Sequence, residues 1–381
     1  MESCGKKQLN ISPIEPSIAL NAICPYYTMF PLDFPISVLK RFGQKNLKVL
    51  DPFCGRGTTI FAARLQGHQA FGLDCSPIAI AIARAKLAMT TETEVTDLAE
   101  AILEEGTTQL SVPKGEFWKW AYAPDTLRDM CILREGLRWR RSQAAEVLRA
   151  ICLGALHGPL TVSVETRSYF SNQMPRTFAS KPDYSVRYWR THKLEPQEVD
   201  VLKIIGHRLK RLELDTLPKM KEASKVSVAD SRLAKGYSSL PEDIDLVITS
   251  PPYYGMRTYI SDQWLRNWFL GGSSEVPYDE QCLLSHQSPE RFSKSLAQVW
   301  DRIGSKFSRR ARMFVRFGAI PSRKCNPRDI MLASLDYSEH SWNVHHVRQA
   351  NSASSGKRQA AHMGKRVKST AINEFDYEIS L

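Results

Sequence analysis

Four consecutive residues, Ser250-Pro251-Pro252-Tyr253, have types and spacing that could do chemistry. They follow the branched apolar run Asp245-Leu-Val-Ile-Thr249, which contains no glycine or proline and reads as a buried strand of a mostly parallel sheet. Two successive prolines fix φ, remove two backbone N–H donors and force the preceding residue out of the helical region, so the strand must end in a stiff loop. In an open α/β sheet the carboxyl ends of strands are where ligands bind. The loop offers the Ser250 hydroxyl, the Pro251 carbonyl and the Tyr253 ring. Two acceptors beside an aromatic face suit a flat heterocycle carrying an exocyclic amine.

The second constellation is Leu47-Lys-Val-Leu-Asp51-Pro-Phe53-Cys-Gly55-Arg-Gly57-Thr58-Thr-Ile60. A short strand ends at Asp51, a glycine turn follows, and a helix begins at Thr58. Gly55 and Gly57 let the backbone pass close to a ligand, and the helix start behind them presents free N–H groups. Ala70 to Asp74 reads as the next strand. Its terminal carboxylate stands about 17 residues past Gly57, near the distance at which Rossmann-like folds place an acid on ribose hydroxyls. Ser76-Pro77 then opens a helix rich in Ala and Ile that runs to Met89.

Other elements must position these groups. Ile36 to Phe42 has amphipathic helical spacing ahead of the first strand. Thr93 to Glu105, Pro124 to Leu137, Ser142 to Leu156 and Pro196 to Leu212 also carry helical patterns. The stretch from about residue 90 to 225 is too long for a simple crossover, so it is expected to be a mainly helical insertion. Within it, residues 166–190 interleave basic side chains (Arg167, Arg176, Lys181, Arg187), amides (Asn172, Gln173) and aromatics (Tyr169, Phe178, Tyr184, Trp189). Such side chains contact phosphates, read base edges and stack on unpaired bases. Further on, a short strand from Lys225 ends at Asp230, and Tyr259 to Leu270 and Phe292 to Phe307 are expected helices. Ser308-Arg309-Arg310 is expected to be a basic turn before a strand from Ala311 to Phe317, and Asn326 to Leu335 a helix. Lys357 and Arg358 lie in a Gly/Ser-rich basic loop that could touch a nucleic-acid backbone, and Asn373 to Ile379 is expected as an antiparallel edge strand.

Composition sets the bounds. The 381 residues carry 52 Lys and Arg against 40 Asp and Glu, a net charge of +12, which favours an anionic partner. With 43% hydrophobic residues the chain can build a core, which excludes a disordered protein. Eight scattered cysteines without a Cys-x-x-Cys pair indicate neither a zinc site nor a disulfide framework, so no metal is expected and a reducing cytoplasm is the expected setting. The N-terminus does not read as a signal peptide, and no apolar stretch approaches membrane-spanning length.

Asp-Pro-Phe-x-Gly-x-Gly-Thr-Thr over 51–59 and Thr-Ser-Pro-Pro-Tyr over 249–253 together resemble the cofactor and catalytic loops of S-adenosylmethionine-dependent DNA amino-methyltransferases, the N4-cytosine and N6-adenine family. Arg56 stands where a serine is common. The resemblance implies an α/β, Rossmann-like methyltransferase sheet with the helical insertion. It divides the chain into an arm and cofactor-binding half (1–89), a target-recognition region (90–225) and a catalytic half (226–381). It also implies that Phe30, in Phe30-Pro31, lies against the methionine part of S-adenosylmethionine and that Asp230 accepts from the cofactor's adenine amine. Asp51, Phe53, Gly55, Gly57, Thr58 and Asp74 complete the implied cofactor site, and Ser250, Pro251, Pro252 and Tyr253 the catalytic one. Ser-Pro-Pro-Tyr is commoner among enzymes acting on N4 of cytosine, so site-specific methylation of double-stranded DNA at a flipped cytosine is the leading expectation. Adenine N6 in DNA and a tRNA base amine are the alternatives. The resemblance also admits a cognate restriction or defence system as partner, and the insertion's position before the Asp230 strand departs from the usual boundary.

Overall fold

The computed structural model describes residues 16–26, 31–44, 46–107, 110–161, 163, 166–220, 222–255, 260–277, 284–318, 325–350 and 374–381. Phe30, Lys357 and Arg358 lie outside them. In chain order the elements are α1 (Pro16–Asn21), α2 (Asp33–Phe42), β1 (Lys48–Asp51), α3 (Thr58–Leu65), β2 (Gln69–Asp74), α4 (Pro77–Leu87), α5 (Glu92–Glu105), α6 (Glu116–Ala121), α7 (Pro124–Leu137), α8 (Gln143–Ala155), α9 (Pro182–Thr191), α10 (Val201–Lys210), β3 (Lys225–Val228), β4 (Ile244–Thr249), α11 (Trp264–Phe269), α12 (Pro289–Gly304), β5 (Phe307–Gly318), α13 (Pro327–Asp336), β6 (Asn343–Gln349) and β7 (Glu374–Ser380).

The strands form one sheet in the order β3-β2-β1-β4-β5-β7-β6. β3 through β5 are mutually parallel where they pair, and β7 runs antiparallel to both β5 and β6. Both faces are covered by helices, which is the α/β Rossmann-like arrangement expected of a methyltransferase sheet. β1 lies inside the sheet between β2 and the central β4, where Val49 and Leu50 are fully buried and pair with Leu246 and Val247 of β4. A parallel strand covered on both faces needs apolar side chains at consecutive positions, and the branched run of β4 supplies them.

Three apolar clusters hold the layers. α2, α3 and parts of β1, β2 and β4 share one around Leu39, Ile60 and Ile248. α12, α13, β5 and β7 share another around Phe292, Trp300 and Phe317. The third joins the helical segment α5–α10 to α4 and α11, with Ile82, Leu148, Trp189, Trp264 and Trp268 in one continuous core. Because α8 packs on the side of α4 turned away from the sheet, α4 is buried nearly all round, which is why its sequence is Ala and Ile rather than amphipathic.

Several expectations are corrected. Ser308, Arg309 and Arg310 are not a turn; they belong to β5, in the irregular stretch between Phe307, opposite Ile244, and Arg312, opposite Leu246. β7 is not the edge strand, because β6 pairs outside it. β6 has almost no buried face, so no alternation betrays it; its His345, His346 and Arg348 are the polar side chains that keep an edge from pairing further. The helix expected from Tyr259 to Leu270 is shorter, a turn at Ile260–Asp262 and α11. Residues 182–191, valued in the sequence for charge and rings, form a helix, α9, started by Pro182 at its first turn.

Candidate active site

The two signature loops leave neighbouring parallel strands at the same end of the sheet. The Thr249 hydroxyl, one residue before Ser250, donates to Asp51 Oδ1 at 2.6 Å. Asp51 Oδ1 also accepts from the Phe53 N–H at 3.1 Å. The two loop roots are therefore joined by one buried carboxylate. Asp51 is fully buried, and its Oδ2 has no hydrogen-bond partner. Burial pushes its carboxyl up to about 6, against the pull of the Thr249, Thr59 and Phe53 hydrogen bonds.

Beyond Asp51 the chain turns tightly. The Gly57 N–H donates to the Cys54 carbonyl at 2.7 Å, and Gly57, at φ +79°, caps α3. A Cβ on Gly57 would stand 2.8 Å from the Ala83 Cβ of α4, so only glycine lets helix and loop approach this closely. The Gly55 N–H donates to Asp74 Oδ2 and the Ser76 N–H to Asp74 Oδ1, at 2.9 and 2.8 Å. Asp74 thus ties the end of β2 to the glycine turn while each oxygen keeps a lone pair for a further donor. Burial raises its pKa, and the two N–H groups oppose that rise. A glycine-lined backbone and a carboxylate with spare acceptors fit an adenosine-bearing cofactor with ribose hydroxyls. Thr58 is buried at the start of α3, Phe53 is half-buried, and the Ser231 hydroxyl donates to the Pro52 carbonyl, fixing the loop after β3 beside them. Asp230, after β3, is held by Arg232 through a bidentate pair, which lowers its pKa; that pairing occupies both of its oxygens.

The catalytic-loop residues stand on an aromatic floor. Pro251 and Tyr254 are buried, Pro252 is exposed, and Ser250 and Tyr253 are half-buried. Tyr254 meets Phe292 edge-on with centroids 5.5 Å apart, and the Gly255 N–H donates to His286 Nδ1 at 3.1 Å. Tyr253 meets Phe317 of β5 edge-on at 5.8 Å. Its hydroxyl makes side-chain hydrogen bonds with Glu374 and Ser250, and burial raises its pKa well above the ordinary tyrosine value. Glu374 opens β7 opposite Gly318 at the end of β5, which brings an acid to the end of the sheet that carries the Ser250–Tyr253 loop. Sequence reading gave Glu374 no role. Nothing local marks it, since it reaches Tyr253 only through an antiparallel strand more than a hundred residues downstream.

The insertion residues are placed unevenly. Asn172 is 2% exposed, and its amide donates to the Trp120 and Leu194 carbonyls at 3.0 and 2.7 Å while its Oδ1 accepts from the Gln173 N–H. Gln173 Oε1 accepts from the Leu160 N–H at 2.6 Å. Arg167 is buried and bonded to Gln197, and Trp189 is fully buried with its indole N–H on the Gln173 carbonyl. Asn172, Gln173 and Trp189 satisfy backbone inside the insertion and Arg167 a side-chain amide, so none of the four is displayed to a base or phosphate. Arg176 and Arg187 are exposed, Tyr184 is 58% exposed and stacks on Tyr188, and Lys181 pairs with Asp262 at 3.2 Å. The segment 176–181 is stitched to the stretch that follows the catalytic loop. Arg266 donates to the Arg176 and Thr177 carbonyls, Trp264 to the Ser180 carbonyl, and the Ala179 N–H to the Asp262 carbonyl.

Residues 6–85 match the family model N6_N4_Mtase, described as DNA methylase. No match appears among curated proteins. Among solved structures the chain is similar to a TehB-like SAM-dependent methyltransferase from Corynebacterium glutamicum ATCC 13032, at 8% identity over 91% of this chain and 86% of that one, with TM-score 0.32. It is also similar to the rRNA methyltransferase aviRa from Streptomyces viridochromogenes, at 13% identity over 96% and 92%, with TM-score 0.35. Overlaps this loose bear on none of the chemistry below. The family match, with the sheet described above, implies S-adenosylmethionine as cofactor and methyl transfer to amino groups of DNA. No helix among the described residues is long and apolar enough to cross a membrane, and no cluster of His, Cys, Asp or Glu among them could hold a metal ion.

Proposed function

We propose that this chain methylates an exocyclic base amine in double-stranded DNA, with N4 of cytosine the favoured target. The observation that carries the reading is the Thr249–Asp51 hydrogen bond, because it puts the roots of the glycine loop and the Ser-Pro-Pro-Tyr loop side by side. Serine at position 250, where adenine enzymes more often carry Asp or Asn, supports cytosine over adenine. Adenine N6 is the second reading, since the matching family model spans both.

Gly55, Gly57, Thr58 and Asp74 would hold the cofactor, with Asp51 and Phe53 shaping the loop, and Asp230, after β3, would accept from it by exchanging one of its Arg232 bonds. When bound, S-adenosylmethionine supplies an electrophilic methyl group and needs no metal or covalent enzyme intermediate. The protein's part is to hold and activate a poor nucleophile, whose lone pair is delocalised into the base. Ser250 Oγ and the Pro251 carbonyl accept the two amine hydrogens, which pulls the nitrogen toward tetrahedral geometry and stabilises the charge it develops. For Ser250 to accept, its own proton must go elsewhere. The Ser250 hydroxyl donates to the Tyr253 oxygen and the Tyr253 hydroxyl donates to Glu374, so the proton released by the methylated amine would pass along this relay to the Glu374 carboxylate. Tyr253, braced by Phe317, also offers ring surface to the base, which must leave the duplex to reach this depth. Arg176 and Arg187, both exposed, would meet the DNA backbone, joined by Lys181 where it gives up its pairing with Asp262.

The test is mass analysis of nucleosides after duplex DNA is incubated with the protein and methyl-labelled S-adenosylmethionine. N4-methylcytosine is expected. N6-methyladenine with unmodified cytosine would replace the first reading by the second, and label in RNA but not duplex DNA would reject both. A restriction or defence context belongs to the same proposal, and a mapped, sequence-restricted pattern of modified sites would support it.

A further inference from the structure

Arg56 lies between the two glycines of the cofactor loop, yet it is only 6% exposed. Its Nε is buried with no hydrogen-bond partner. Among the described residues no carboxylate pairs with it; burial brings its pKa down to about 10, and the one nearby group that opposes the fall is the Cys24 thiol. Lys86, in the last turn of α4, is fully buried and donates its Nζ to Asn21 Oδ1 at 2.8 Å. Burial first, and then the charge of Arg56, depress the pKa of Lys86, so the two basic groups sit within electrostatic reach of each other. Desolvated cations without an anion are costly, and two that repel are costlier. The fold keeps both at the place where the glycine loop meets the N-terminal segment, which is itself anchored by the Tyr26 hydroxyl on Ser76 Oγ at 3.3 Å.

An anion bound between these side chains would offset the cost of burying them. We propose that Arg56, backed by Lys86, forms a carboxylate site that takes the α-carboxylate of the cofactor's methionyl end. The inference rests on the reading of 51–59 as the cofactor loop. The carboxylate is the one anionic group of S-adenosylmethionine, and a guanidinium can grip it through paired N–H donors. Arg56 is also where the loop departs from the serine common in the resemblance, so the site is a property of this chain.

The experiment measures binding of two probes to the full-length protein by calorimetry. S-adenosylhomocysteine carries the amino-acid end; 5′-methylthioadenosine shares its adenosine and thioether but lacks that end. Arg56→Ala should weaken S-adenosylhomocysteine about 10- to 100-fold, the usual range for loss of a charge-assisted hydrogen bond, and leave 5′-methylthioadenosine within about twofold. Arg56→Lys should retain part of the loss. Without ligand, Arg56→Ala should unfold at the same temperature as the parent or higher, since an uncompensated buried charge has been removed. Equal weakening of both probes, or unchanged affinity for S-adenosylhomocysteine, would overturn the carboxylate site while leaving the cofactor loop intact. A parent protein that binds neither probe would overturn the loop assignment and this inference with it.

Discussion

Substituting alanine at the two loop glycines separately is the sharpest test of how the loop is built. Both have positive φ, +49° at Gly55 and +79° at Gly57, so either alanine bears the left-handed strain of about 1–2 kcal/mol. About 0.4–1 kcal/mol of that is recovered through the stiffer unfolded chain. At Gly55 nothing else changes, because a Cβ there meets only the Phe53 carbonyl oxygen at 4.0 Å. At Gly57 the new Cβ meets Ala83 Cβ at 2.8 Å and Ala83 Cα at 3.0 Å. Backbone cannot swing away as a long side chain can, so overpacking adds about 1–3 kcal/mol. Urea unfolding followed by tryptophan fluorescence should therefore cost Gly55→Ala about 1 kcal/mol and Gly57→Ala about 2–4 kcal/mol. Adding Ala83→Gly should recover part of the Gly57→Ala loss and none of the Gly55→Ala loss, because it removes the 2.8 Å contact and leaves the strain. S-adenosylhomocysteine affinity should fall in the same order. If both alanines cost the same, or Ala83→Gly rescues neither, the close approach of α4 to the loop is not what glycine serves at position 57.

Asp51 gives a pH prediction. Its folded pKa of about 6 lies above the ordinary aspartate value of 3.8, so the native state binds the proton more tightly and the associated stability is complete below about pH 4 and lost as pH rises through 6. That loss is about 3 kcal/mol. Asp51→Asn keeps an acceptor for Thr249 and Phe53 but does not ionise. The stability difference between the two proteins should thus shift in favour of asparagine by about that amount between pH 4 and pH 8; a difference independent of pH would refute the buried-carboxylate account. At the catalytic loop, Ser250→Ala should lower kcat about 100-fold or more with cofactor affinity unchanged, and full activity would remove Ser250 from the mechanism. Glu374→Gln and Tyr253→Phe should each lower kcat less than Ser250→Ala, and adding either to Ser250→Ala should cost little more, because all three act through one hydroxyl; additive losses would break the chain of hydrogen bonds. On the insertion, Arg176→Glu with Arg187→Glu should weaken DNA binding and reduce its salt dependence, whereas Asn172→Ala should destabilise the fold by about 1–3 kcal/mol, its buried backbone partners left unpaired. Loss of salt-dependent binding in Asn172→Ala at full stability would reverse those assignments.

The sequence alone determined what is local. Gly55 and Gly57 declared a tight turn through the residues that tolerate its positive φ, and the double proline after β4 declared a stiff loop, since each follows from bond rotations and donors within a few residues. Strands buried on both faces were legible for the same reason. Tertiary structure decided what depends on distant partners. Whether Asn172, Gln173, Arg167 and Trp189 faced DNA or the interior could not be read from type, because an amide, an arginine or an indole suits a base edge and an orphaned carbonyl equally well. β6 escaped notice because an exposed edge strand needs no apolar alternation. Glu374 and the unpaired cation at Arg56 became visible only once β7 and α4 were folded against the loops, since a hydrogen-bond relay and a buried charge exist only between segments that the chain keeps far apart.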